Sequence, residues 1–179
     1  MANEKFEIRG INHLALVCRD MKKTVDFYTG ILGMPLTKTI NLPNGMGQHF
    51  FFDIGNRDQL AFFWFPDAPD SVPGVSHPAH LMGEGSLTSA HASMNHVAFD
   101  VPLEKIDEYA ERLRAAGIKV TGVVNHDDSP QQVSAEMNGT TFVRSIYFQD
   151  PDGIQLEFAA WSRELTAADV NAEPMSVDG

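Results

Sequence analysis

Along the first 65 residues, apolar runs of strand length alternate with one stripe of helical spacing, and the same order returns after residue 93. Ile11-Asn12-His13-Leu14-Ala15-Leu16-Val17 is short and mostly apolar, as a buried strand would be. Asp20 follows in the position of an N-cap. Met21, Val25, Tyr28 and Leu32 then recur at helical spacing, and Gly30 and Gly33 mark an exit, which predicts a helix over about 21–31. Residues 36–40 suit one further strand. Residues 50–54 and 60–65 are β-prone aromatic runs split by Gly55-Asn56-Arg57-Asp58, a hairpin signal.

Between 66 and 93 the periodicity stops: Pro66, Pro69, Pro73, Pro78, Gly74, Gly83 and Gly85 interrupt the chain, which reads as a linker. Met94-Asn95-His96-Val97-Ala98-Phe99 then repeats the opening strand. Pro102 starts a second helix, Leu103, Ile106, Ala110 and Leu113 form its stripe, and Gly117 ends it. Residues 119–124 read as a strand and 125–140 as an irregular polar stretch. Tyr147 to Glu157 is a hairpin about Asp150-Pro151-Asp152-Gly153, which places Tyr147 opposite Glu157 on one face. The two hairpins superpose without a gap, Phe51 on Tyr147 and Ala61 on Glu157. The expected architecture is α/β (α+β): a first βαβββ module (1–65), the linker (66–93), a second module (94–161) and a polar tail (162–179).

With 43% apolar residues the chain can build a real core, and its net charge of −11 argues against nucleic acid or an anionic membrane surface as partner. The polar start Met1-Ala2-Asn3-Glu4-Lys5-Phe6-Glu7, and apolar runs too short for a membrane span, lead to the expectation of a cytoplasmic protein. Cys18, the single cysteine, lies in an apolar strand and reads as a buried structural thiol.

His13 and His96 hold equivalent places on equivalent strands, and Glu157 closes the second unit. Singly, each has an ordinary explanation: a hydrogen-bonded core imidazole or a solvated carboxylate. Jointly they form a set suited to Fe(II) or Mn(II), because two imidazoles and one carboxylate leave half an octahedron open for a substrate with two adjacent oxygens. Phe51, Phe62, Phe63, Trp64 and Phe65 are candidate apolar walls. His49 is a loose candidate near the site, and His77, His80 and His91 read as solvated loop residues.

Asn12-His13-Leu14, Asn95-His96-Val97, the module duplication and Tyr147-Phe148-Gln149-Asp150-Pro151-Asp152-Gly153 with Glu157 together resemble the vicinal oxygen chelate superfamily. That superfamily includes glyoxalase I, fosfomycin-resistance enzymes, bleomycin-binding proteins and type I extradiol dioxygenases. The likeness covers roughly residues 8–161 and implies a cupped sheet around one metal site, a small-molecule substrate and a homodimer. Ala61 stands where glyoxalase I carries a further carboxylate, and the retained His13, His96 and Glu157 count against pure sequestration. The order His96, Tyr147, Glu157 is similar to that of extradiol enzymes, implying Fe(II), an aromatic substrate with vicinal oxygens, and O2. Mn(II), Zn(II) and Ni(II) are the alternative metals, and a metal-dependent lyase or isomerase, or a non-catalytic binder, the alternative functions. Extradiol enzymes also place an acid–base histidine shortly before the tyrosine. Residues 138–140 are Asn, Gly and Thr, so the candidate is His126, with 127–143 as an insertion; the other reading of His126 is a solvated loop residue.

Overall fold

The computed structural model describes residues 9–175. Residues 1–8 and 176–179, the outer ends of the expected first module and tail, lie outside the described residues. Two mixed sheets carry the duplication. The first contains β1 (His13–Val17), β2 (Leu36–Asn41), β3 (Gln48–Gly55) and β4 (Asp58–Trp64) in the order β1-β4-β3-β2. The second contains β5 (Val97–Asp100), β6 (Val124–His126), β7 (Val133–Ser134), β8 (Val143–Gln149) and β9 (Gln155–Trp161) in the order β5-β9-β8-β6-β7. β1 runs parallel to β4 and β5 parallel to β9, while the hairpins are antiparallel.

Register repeats as well as order. Ala61 faces Ala15 on one side and Phe51 on the other, and Glu157 faces Ala98 and Tyr147 in the same way. Because side chains alternate across a pleated sheet, His13 and His96, each two residues before these alanines, project from corresponding faces.

The opposite faces form the core. Phe52, Leu60 and Phe62 pack with Met21, Phe27 and Tyr28 from the helical segment 21–31, and Ile146, Phe148 and Leu156 with Ile106, Ala110 and Leu113 from the second helix, in one continuous cluster. Helix α1 (Met21–Val25) starts at Asp20, whose Oδ1 accepts from Lys23 N at 3.1 Å, and continues as a π-helical turn over Asp26–Ile31. That wider turn buries Phe27 and Tyr28 together, and the Tyr28 hydroxyl donates to Asp150 in the second module at 3.2 Å. Helix α2 (Ile106–Ala115) ends where Gly117 takes φ +80°; Ile118 N–H reaches back to Leu113 O and Gly117 N–H to Arg114 O.

Four expectations need correction. Residues 119–124 do not form a strand: Val120 makes an isolated bridge to Phe148, and the ladder begins only at Val124. The cause is Thr121, whose hydroxyl, in place of a main-chain carbonyl, accepts from Tyr147 N at 3.0 Å. The polar stretch after it is partly ordered, since β6 pairs with both β8 and β7. The segment 66–93 has little regular structure yet is seated on the modules. Asp70 pairs with Arg19, Glu84 with Lys119, and Leu81 is buried. His77, expected in solvent, is also buried, its ring 3.1 Å from where a Cβ on Gly153 would stand. Among the described residues no helix is long and apolar enough to cross a membrane.

Candidate functional site

The hairpin β8–β9 sets Tyr147 directly across from Glu157, with both side chains buried. His96, on the approach to β5, brings Nε2 to 3.0 Å from Glu157 Oε2. From the other direction His126, on β6, brings Nε2 to 3.0 Å from the Tyr147 hydroxyl. The Tyr147 phenol and the Glu157 carboxylate are neighbours across the β8–β9 rung, and the carboxylate's charge acts on the phenol. Four side chains from four strands or strand ends thus form one line: His126, Tyr147, Glu157, His96.

Each histidine of the duplicated Asn-His pair is held alike. Asn12 Oδ1 lies 2.8 Å from His13 Nδ1, and Asn95 Oδ1 lies 2.8 Å from His96 Nδ1. A carbonyl oxygen can only accept, so Nδ1 carries hydrogen in both rings. In a neutral His96, Nε2 is then a lone pair facing a carboxylate oxygen. Two acceptors at that separation need a proton or a cation between them, which makes Nε2, with its other nitrogen braced, a candidate metal ligand.

Electrostatics follow from burial and these bonds. Burial pushes the Glu157 carboxyl upward, but the His96 imidazole, in the form that carries a hydrogen on Nε2 as well as Nδ1, outweighs it and holds the group below its usual range. Tyr147 is pushed well above the ordinary phenol range, first by burial and then by the Glu157 charge. Burial lowers His126, which favours its neutral form. Tyr147 has one hydrogen and two neighbours. Turned to Glu157, it leaves its oxygen to accept from His126; turned to His126, it makes Nε2 the acceptor.

His13 stands elsewhere. It is exposed on the first sheet, where its ring neighbours are His49, 6.5 Å away between centroids, and Phe51, 5.6 Å away. Among the described residues no three His, Cys, Asp or Glu side chains of a single chain are grouped to hold a metal. His49 stacks on Phe63 with centroids 3.6 Å apart, Phe63 stacks on Phe65, and His49 Nε2 is buried without a partner. Burial, and then His13, lower the His49 pKa. The first-sheet rung corresponding to Tyr147 and Glu157 holds Phe51 and Ala61, which supply no ligand. Of the aromatic residues expected as walls, Phe51, Phe63 and Phe65 share the face of His13, whereas Phe62 belongs to the core and Trp64 donates its indole N–H to Arg19 O. The bracing by Asn12 and Asn95 was not anticipated from sequence, although the repeated Asn-His dipeptide was its signal.

Residues 10–158 match the profile of the Glyoxalase/Bleomycin resistance protein/Dioxygenase superfamily. The chain belongs to that superfamily. Fosfomycin resistance protein FosX of Listeria monocytogenes is 26% identical over 157 residues, covering 88% of this chain and 93% of its own. MhqE of Bacillus subtilis, which carries the name of a ring-cleaving dioxygenase, is 28% identical over 115 residues. That alignment covers 62% of this chain and only 33% of MhqE, so the chain corresponds to about a third of that protein. A glyoxylase/bleomycin resistance protein/dioxygenase domain from Frankia sp. EAN1pec superposes with a TM-score of 0.61 at 18% identity, over 86% of this chain and 98% of its own, a likeness of fold.

Proposed function

We propose that a homodimer of this chain binds Fe(II) through His96 and Glu157 of one copy and His13 of the other, and cleaves a catechol-like aromatic with O2 by the extradiol route. The observation that carries this reading is that Tyr147 faces Glu157 across the β8–β9 rung, with His96 Nε2 3.0 Å from that carboxylate and His126 Nε2 3.0 Å from that hydroxyl. A second copy is invoked because His13 lies outside that group within one chain, while β1 and β5, which carry or follow the two histidines, each end their sheet. Fe(II) bound there supplies open positions for two vicinal oxygens and for O2. Tyr147 donates to a substrate oxygen held beside Glu157, and His126, kept neutral by burial, accepts the proton that Tyr147 relays at Nε2. The stacked His49, Phe63 and Phe65 offer a planar apolar wall for an aromatic ring.

The test is oxygen uptake with a panel of catechols after anaerobic loading with Fe(II). Stoichiometric uptake with a ring-opened product is expected. Full metal occupancy with no uptake from any catechol would sink the dioxygenase reading. It would leave the second, favoured by the nearly full-length correspondence to a fosfomycin resistance protein: a metal-dependent lyase or isomerase, or a binder, of a small oxygenated metabolite. Within that reading Ala61, in place of a carboxylate, disfavours isomerase chemistry that needs a base there.

A further inference from the structure

The segment between the modules hydrogen-bonds Asn95, which braces His96, and Gln155, which lies two residues before Glu157. Leu87 O accepts from Asn95 Nδ2 at 2.8 Å, and Asn95 Oδ1 lies 2.8 Å from His96 Nδ1. Five residues earlier, Met82 N–H donates to Gln155 Oε1 at 3.0 Å. Gln155 is fully buried and precedes Glu157 by two residues, on the same face of β9.

The two ends of an amide are chemically distinct, and this gives the contact a direction. Leu87 O can only accept, so the Asn95 NH2 must face it and the Asn95 carbonyl must face His96. A flipped Asn95 would set carbonyl against carbonyl and NH2 against Nδ1–H, losing both bonds. A main-chain oxygen of the intermodule segment therefore selects the His96 tautomer, with the lone pair on Nε2 toward Glu157. Asn12 braces His13 with the same bond but, among the described residues, has no hydrogen bond to the segment 66–93.

We propose that residues 82–87 form a strap that presets His96 for metal binding through Asn95, so that strap order and metal occupancy are coupled. Asn95 is then a positioning residue: it touches neither metal nor substrate but acts through His96. The proposal rests on the reading of His96 as a metal ligand. Coupling of this kind is reciprocal, because whatever metal gains from an ordered strap, the strap gains from bound metal.

Hydrogen exchange of the strap amides, with Zn(II) as a redox-inert probe, tests it. The Met82 and Glu84 amides of the strap, and that of Thr88 next to it, are hydrogen-bonded, to Gln155, Leu81 O and Ser86 Oγ. In the wild-type protein Zn(II) should slow exchange at these amides by about tenfold, within the usual range of coupling between sites. Asn95→Asp retains an acceptor for His96 Nδ1 but has no donor for Leu87 O. It should abolish that protection while Zn(II) affinity, measured by chelator competition, is kept, because a carboxylate on Nδ1 still fixes the tautomer that presents Nε2. Asn12→Asp, at the equivalent position without the strap bond, should keep the strap protection. Asn95→Ser, too short to span from His96 to Leu87, should likewise abolish the strap protection and, having lost the brace on Nδ1, weaken Zn(II) by about 10- to 100-fold. Zn(II) binding with unchanged strap exchange in the wild type, or wild-type coupling in both Asn95 variants, overturns the strap alone. A wild-type protein that binds no Zn(II) overturns the ligand reading and the strap with it.

Discussion

Tyr147→Phe removes one oxygen atom from the centre of the site and leaves the ring to fill the same space, so no cavity forms. What it deletes is a buried hydroxyl 3.0 Å from His126 Nε2, on the residue that faces Glu157 across the rung. A buried polar atom left without its partner costs about 1–3 kcal/mol, and the hydroxyl's interaction with the neighbouring Glu157 charge goes with it, so a cost of about 2 kcal/mol is expected. For a chain of this size that corresponds to a fall in Tm of roughly 4–8 °C. The loss should depend on pH. Glu157 is held below its unfolded value, so its bonds stabilise the fold fully above that value, 4.5, and progressively less as pH falls through the lower, folded one. The variant has less of this stabilisation to lose, and its deficit should shrink in acid. Urea unfolding of the metal-free protein at pH 7 and near pH 4 measures both quantities. A deficit below about 0.5 kcal/mol at pH 7, within the range of an ordinary surface substitution, would refute the reasoning. So would a deficit that does not change with pH.

His126→Gln should lower turnover by about 10²- to 10⁴-fold while leaving metal affinity unchanged, because it removes the proton acceptor and not a ligand; single-turnover rates and a chelator titration separate the two. His13→Ala and His96→Ala should each abolish metal binding alone. Refolded together in equal amounts they should recover about one quarter of wild-type sites, since half the dimers are mixed and each of those holds one intact site; no recovery would assign the ligands to a single chain. Asp150 is raised to about 6, chiefly by burial, although it accepts main-chain bonds from Asp152 and Ile154. Its folded pKa exceeds the unfolded value, so its protonated form stabilises the fold at low pH and that contribution is lost as pH rises through about 6. Asp150→Asn should therefore be more stable than wild type at pH 7 by about 1–3 kcal/mol, with the advantage gone below pH 4, as measured by urea unfolding.

The two modules, the hairpins and the rung that joins Tyr147 to Glu157 were legible in the sequence because each rests on local rules. Strand alternation has period two, and the turn Asp150-Pro151-Asp152-Gly153 leaves one register open to its flanks. The repeated Asn-His dipeptide likewise marked His13 and His96 as equivalent. Residues 119–124 misled because their apolar pattern suits a strand while the Thr121 hydroxyl displaces a ladder bond, a competition that hydropathy does not register. Three matters were decided only in three dimensions: that His126 reaches Tyr147, that His13 sits with His49 and Phe51 apart from the His96–Glu157 pair, and that residues 66–93 lie against Gln155 and Asn95. Each depends on how one sheet docks on another or how a long connection crosses both. Those placements come from the summed packing of many distant side chains, which leaves no short-range periodic trace along the chain.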